Sequence, residues 1–254
     1  MPLTALVLAG SRPEADPLIA GTGLPSKALL PIAGRPMLAW VLAALAKAPE
    51  VGRIVVAAQD PAPLAADPAI AKFTSVEWHA SRGSIADVVC QALESEGGPL
   101  LVTTADNVLL TAAMLSDFVN GARERDVAVA VVARSAVRAA GLPTSRTWLK
   151  FRGEHWSGAN LFLLEGKQVL PLVAFWRGIE QDRKRRWKIV AAFGPLLLLG
   201  TLLRLIDIHA FARLAARRFG LTATTVAMPQ AEACVDADKP ADVELIAQIL
   251  AARR

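Results

Sequence analysis

The sequence predicts an α/β fold, a mainly parallel sheet covered by helices on both faces. Three observations carry this. Apolar runs of strand length recur at residues 3–8, 53–58, 99–103 and 127–133. Between them lie stretches with apolar residues at helical spacing, among them MLAWVLAALAKA and residues 85–93. Small or acidic residues then stand where strands should end: Gly10, Gly83-Ser84 and Asp106. Alternating strands and helices favour a parallel sheet. Right-handed crossovers bring its strand ends to one edge, where ligands of open α/β sheets bind.

The elements follow in order. Residues 3–8 (LTALVL) have the size and composition of a buried strand, which stops at Ala9-Gly10. After a long polar loop comes Pro25-Ser26-Lys27, then LLPI and Gly34-Arg35-Pro36. Pro36 suits the first turn of the helix that follows, because the N–H it lacks has no partner there. Residues 53–58 form the next strand, and a proline-rich loop with a turn or two of helix runs to Lys72. Residues 75–79 read as a short strand, 85–93 as a helix and 99–103 as a buried strand. Thr111 is an N-cap for a helix over 111–124. Strands are expected at 127–133, 147–151, 160–164 and 222–226, with mostly helix over 166–219 and a closing helix over 240–252.

With 254 residues, 54% of them hydrophobic, the chain can bury a substantial core, so disorder is not expected. The net charge of +5 suits a small anionic substrate. No helix–turn–helix, zinc-finger or aromatic RNA-binding signature accompanies it, so no nucleic-acid partner is expected. Cys90 and Cys234 form no C-x-x-C pair and read as buried thiols of a reducing cytoplasm. The first apolar run is too short for a signal peptide, and no basic residues precede it. His79, His155 and His209 make no metal-binding spacing, and no G-x-S-x-G is present. Neither a P-loop nor a dinucleotide fingerprint occurs. A Gly-containing loop after a strand can still bring N–H groups to phosphate oxygens, and Lys27 adds a mobile positive charge.

LVLAG, Lys27 and the run ALLPIAGRPML resemble the opening pattern of nucleoside triphosphate transferases of the GT-A-like fold. The family includes molybdenum-cofactor guanylyltransferases and the cytidylyltransferases for methylerythritol phosphate and inositol phosphate. Ser11 stands where the family pattern has a second glycine, and the loop to Lys27 is longer. The resemblance implies a Rossmann-like, GT-A-like domain over 1–254 with a helical insertion at 166–220. It also implies a reaction: an acceptor phosphate attacks the α-phosphorus of an NTP, and pyrophosphate leaves. CTP is the preferred donor, on the reading that the product feeds a membrane alcohol-phosphotransferase.

Residue roles follow from the resemblance. Lys27 and Arg12 would stabilise charge on the transferring group. Leu8, Ala9, Gly10, Lys27, Gly83 and Ser84 would contact the nucleotide, although Ser84 also fits a helix N-cap. Asp106, in LVTTADNVLL, would bind Mg2+. Asp236 and Asp238, in CVDADKPADVELI, match the terminal metal motif, with Lys239 in place of its threonine. Alternate residues of an extended segment share a face, so both are carried as metal ligands. Gly158 and Asn160 would line the acceptor pocket, and Arg134, Arg146, Lys150 and Arg152 are candidates for an acceptor phosphate. The rival readings are a glycosyltransferase of the same fold, with a nucleotide sugar, and a non-catalytic nucleotide-binding regulator.

Residues 182–204 depart from the compact family members. Arg183, Lys184, Arg185, Arg186 and Lys188 precede IVAAFGPLLLLGTLL, an apolar run too short to span a membrane and interrupted by Gly194-Pro195. Two roles fit. The segment forms core or homodimer helices with a solvated basic face, or it makes peripheral contact with an anionic membrane.

Overall fold

The computed structural model describes residues 2–10, 16–122, 124–143, 146–181 and 194–253. In chain order, β1 (Leu3–Leu8) leads through a 3-10 turn (Lys27–Leu29) to a small hairpin, β2 (Pro31–Ile32) and β3 (Arg35–Pro36). Then come α1 (Met37–Leu45), β4 (Val51–Ala58), α2 (Ala62–Ala65), β5 (Val76–Ala80), α3 (Ile85–Glu96) and β6 (Leu100–Thr104). The middle of the chain forms α4 (Ala112–Ala122), β7 (Val127–Ala133), α5 (Arg134–Ala139), β8 (Leu149–Lys150) and β9 (His155–Leu164). It continues with α6 (Leu170–Gln181), α7 (Pro195–Leu202), α8 (Ile208–Arg217), β10 (Ala223–Ala227) and α9 (Pro240–Ala252).

The fold is the mostly parallel α/β arrangement expected, and its residues gather into two compact units. The first comprises Met1–Arg82, Leu101–Ser116 and Val235–Arg254; the second comprises Gly83–Leu100 and Asp117–Cys234.

In the first unit the strand order is β6-β1-β4-β5, with β1 parallel to β4 and β4 parallel to β5. Ala5, Leu6 and Val7 are consecutive and all buried. A strand with one wet face would alternate instead, so both faces of β1 are covered. The β2–β3 turn places Ala33 (φ 49°) and Gly34 (φ 80°) in left-handed conformations. Two positive φ angles are what a tight two-residue hairpin turn requires. Pro36 caps α1 from outside, one residue earlier than the sequence suggested. Its ψ of 142° is extended, because its carbonyl and ring still belong to the hairpin.

A cluster of Ile32, Met37, Val108, Leu109, Val235, Ala237, Ile246 and Leu250 packs the hairpin, the loop after β6 and the C-terminal helix together. Each large side chain buried there contributes about 1.5–3 kcal/mol. The segments on which Lys27, Asp106 and Asp238 sit are therefore held by one apolar cluster.

In the second unit β10 pairs parallel with β7, and β7 pairs antiparallel with β9, on which β8 forms a short antiparallel ladder. The expected strand over 147–151 shrinks to Leu149–Lys150, and the one over 160–164 starts earlier, at His155. The polar first half of β9 hid it from an apolar-run reading. The β7–β9 register jumps from Val129↔Phe162 to Val131↔Gly158, which leaves extra residues bulging from β9. Asn160 sits in that bulge with φ 49°. Asparagine tolerates this conformation better than most residues, and some bulges require it. Cys90 and Cys234 are both buried thiols. Among the described residues no helix is long and apolar enough to cross a membrane.

Candidate active site

Lys27 opens the 3-10 turn, and Ser26 caps that turn by accepting a hydrogen bond from the Ala28 N–H at 3.2 Å. The Lys27 ammonium reaches three carboxylates. It lies 3.2 Å from Asp238 Oδ1, 3.4 Å from Asp106 Oδ2 and 3.9 Å from Asp16 Oδ2. All four residues belong to the first unit.

Local structure explains how they meet. The Ala105 N–H donates to the Leu8 carbonyl at 3.0 Å, which ties the end of β6 to the end of β1. Asp106 follows directly. The Ala237 N–H then donates to the Asp106 carbonyl at 3.2 Å, laying the segment 236–238 beside it. Pro240 starts α9, and Asp242 accepts from the Lys239 N–H at 3.1 Å, so this segment ends in a fixed helix start.

The charges are strongly coupled. Burial drives the Asp106 carboxyl above its ordinary range, and the Asp236 and Asp238 carboxylates push the same way. A hydrogen bond from Thr104 Oγ1 and the Lys27 ammonium pull in the other direction without prevailing. At Lys27 burial favours the neutral amine, but Asp106, Asp238 and Asp16 together outweigh it and raise the pKa. Lys27 is thus a fixed cation at neutral pH, only 17% exposed at its side chain.

The carboxylates fit a hard divalent cation. They offer oxygen donors only, and a half-buried acid pushed towards protonation is one that a cation would hold ionised. Among the described residues no three or more His, Cys, Asp or Glu side chains form a ready metal cage. Magnesium characteristically takes one or two carboxylates and completes its shell with phosphate and water, so the donor set still suits it. Asp238 bonds Lys27 directly, whereas Asp236 is near enough to act on Asp106 through its charge.

Leu8, Ala9 and Gly10 lie at the end of β1, with the Ala9 N–H donating to the Ala57 carbonyl at 2.9 Å. A Cβ on Gly10 would come within 3.1 Å of the Gln59 amide, so a small residue keeps this strand end open. Arg12 lies outside the described residues.

Gly83, Ser84, Gly158 and Asn160 belong to the second unit. Ser84 caps α3 in a reciprocal box: its hydroxyl accepts from the Asp87 N–H, and Asp87 Oδ2 accepts from the Ser84 N–H at 2.9 Å. The Ser84 hydroxyl also donates to Asp87, so helix capping accounts for that side chain. Gly83 has φ 108°, and a Cβ there would meet Asp87 at 2.8 Å. Gly158 is exposed on β9, opposite Val131 at the edge of the bulge.

Two contributors were not anticipated. Asp16 lies in the long loop, where no spacing marks it. Thr104 stands two residues before Asp106 in LVTTADN, and that proximity was the available signal.

Comparison with known proteins identifies the family of this fold. The model of the MobA-like NTP transferase domain matches residues 5–217. No curated protein matches. A solved structure described as a hypothetical transferase from Thermus thermophilus is 30% identical, with a TM-score of 0.78, covering 96% of this chain and all of that one. A CMP:2-keto-3-deoxy-manno-octonic acid synthetase solved with CTP shares the fold at 15% identity and a TM-score of 0.60, with both chains fully covered. A 4-diphosphocytidyl-2C-methyl-D-erythritol synthase does so at 14% identity and a TM-score of 0.60, over 98% of each chain. The chain belongs to the family of the MobA-like NTP transferase domain, a family of NTP-dependent nucleotidyltransferases.

Proposed function

We propose that this enzyme transfers a nucleoside monophosphate from an NTP, with CTP preferred, to a phosphorylated small-molecule acceptor and releases pyrophosphate. The observation that carries the reading is the Lys27 ammonium held between Asp106 and Asp238 beside the end of β1. CTP is favoured by the neighbours of the same fold, one of which was solved with CTP. The proposal treats 1–254 as one transferase domain with 166–220 as its helical insertion. The family match runs through segments of both compact units, which supports this.

Such a reaction needs positioning and charge neutralisation rather than a covalent nucleophile. Lys27 supplies a permanent positive charge for the transferring phosphoryl group, since its carboxylate neighbours keep it protonated. Leu8, Ala9 and Gly10 offer backbone to the nucleotide, and Gly83-Ser84 border it in the same proposal. Asp106, with Asp238 and Asp236, would hold magnesium. Bound magnesium would neutralise charge on the triphosphate. Arg12 keeps the role that the family pattern implies, and Gly158 with Asn160 line the acceptor pocket.

We also place the enzyme in the cytoplasm, with residues 182–204 serving either core or homodimer packing or an anionic membrane surface. The run 182–193 lies outside the described residues. Support comes from α7, which buries no residue and exposes Leu196 and Leu202 at 83% and 77%. If the segment serves a homodimer instead, mass will depend on concentration and vesicles will pull nothing down.

Pyrophosphate release, measured with CTP, GTP, UTP and ATP against a panel of phosphorylated and unphosphorylated alcohols, tests the reaction. Release that needs a phosphorylated acceptor and is fastest with CTP is the expected result. No release with any pair rejects the transfer, and equal rates with all four nucleotides reject the CTP preference.

A further inference from the structure

The second unit carries a feature built around Arg134 and Arg152, two of the residues that the sequence offers for an acceptor phosphate. An open depression of about 460 Å3 is lined by Arg134, Arg138, Arg152 and Arg204, with Glu154 and His155 among its other walls. Three separate segments build it. Arg134 and Arg138 come from α5, which follows β7. Arg152 lies in the turn between β8 and β9, where Gly153 has φ 83°. Arg204 follows α7 in a left-handed conformation, φ 56°. The Arg152 N–H donates to the Ile206 carbonyl at 3.0 Å, which joins the last two segments.

The polar groups of this depression are unevenly satisfied. Glu154 is engaged: it accepts from the Ser135 hydroxyl and from the His155 N–H. Asp207 lies 3.4 Å from Arg152 and is also the N-cap of α8. Arg134 approaches His155 Nδ1 at 3.3 Å through Nη1, and its guanidinium lies over the Trp148 ring at 5.8 Å. Its Nε is buried and has no hydrogen-bond partner among the described residues. A buried charged donor left without an acceptor is costly. Four guanidiniums against two carboxylates leave an excess of two positive charges.

We propose that this depression binds a phosphomonoester. Such a group carries about −1.5 to −2 charges at pH 7 and three strong acceptor oxygens. That matches the excess charge, and the acceptor oxygens suit the guanidinium groups of Arg134, Arg138, Arg152 and Arg204 that line the depression. Guanidinium forks suit phosphate geometry better than ammonium groups do. The ester can be carried by a soluble molecule or by a lipid. A lipid is accommodated by the apolar residues flanking Arg204, since Leu202, Leu203 and Leu205 are 77%, 58% and 59% exposed. Binding here does not depend on nucleotide transfer; only the further step, that the bound ester is the acceptor, rests on the transferase reading.

The test is calorimetric titration of the full chain with glycerol 3-phosphate, with glycerol as the neutral control. R134Q/R138Q should weaken binding of the ester by about a hundredfold, roughly tenfold for each charged donor lost. R138Q alone changes an exposed residue and should weaken it about tenfold, which serves if the double variant misfolds. Lys27→Ala should leave this binding unchanged, which separates it from the nucleotide site. Sedimentation with phosphatidic acid vesicles and with phosphatidylcholine vesicles distinguishes the lipid source. Retention on the former alone, lost in R134Q/R138Q, identifies a lipid-borne ester, and binding of glycerol 3-phosphate alone identifies a soluble one. A wild-type chain that binds neither probe overturns the proposal. So does an R138Q or R134Q/R138Q variant that binds as tightly as wild type.

Discussion

The two compact units handle charge in opposite ways. In the first, one lysine is surrounded by Asp16, Asp106 and Asp238. Acid is in excess there, and a buried carboxyl is driven towards its proton. In the second, arginines outnumber the acids around a depression, and the acids they meet are already hydrogen-bonded. The first arrangement suits a cation brought in with a polyphosphate. The second suits an anion. The transfer proposed above, between two phosphorylated molecules, would have use for both kinds of site, and net charge alone hides the division.

The largest effect is expected at Lys27. Lys27→Ala should reduce turnover by about 10²–10³, the usual cost of losing one charge-stabilising donor. Pyrophosphate release read beside the melting temperature checks this. Turnover at the wild-type level would remove Lys27 from the chemistry.

Asp106→Asn comes next. A neutral amide is a poorer ligand for a hard cation, so turnover should fall and the magnesium midpoint should rise together. Thr104→Val removes the hydroxyl that hydrogen-bonds Asp106 and should cost about 10-fold at least in the same titration, as outer-shell partners do. A magnesium midpoint unmoved in both variants would leave Asp106 a structural acid.

The smallest effects concern stability against pH, where Asp106 and Asp126, one in each unit, should show opposite signs. Asp106 has a raised pKa, so the folded chain takes up its proton at a higher pH than the unfolded chain. The stability it contributes is present at low pH and declines as pH rises through the raised value. Asp126 is the reverse. Its carboxylate accepts from the Thr222 N–H and hydroxyl, both at 2.7 Å, and its pKa is lowered by these bonds. Its contribution is present above the unfolded pKa and is lost as pH falls through the folded one. Asp126→Asn should cost about 1 kcal/mol at pH 7, because the site is open to water, and nothing once the wild-type acid is protonated. Denaturant unfolding from pH 7 down to pH 2 measures it. A loss independent of pH would mean that the bonds from Thr222 to Asp126 act through geometry alone.

Much was legible in the sequence because it depends on local order. Residues 127–133 and 240–252 read as strand and helix from their apolar spacing, and they form β7 and α9 at those bounds. PSKALLPIAGRPM carried its own turn chemistry, with Gly34 at a position that needs positive φ. Lys27 and Asp106 stood out because each follows or ends a structure that the pattern already marked. The polar start of β9 and the bulge at Asn160 were hidden, since a bulge is set by the register of a partner strand and has no signature of its own.

What the sequence determined by itself was the fold class, the family and the residue types at the end of each strand. Tertiary structure alone decided which charges meet. Lys27 and Asp238 are 211 positions apart, and Asp16 belongs to a loop without a pattern. Arg134, Arg152 and Arg204 converge only because α5, the turn after β8 and the turn after α7 close on one another. Coulomb energy depends on distance and on burial, and neither is encoded in the spacing along the chain.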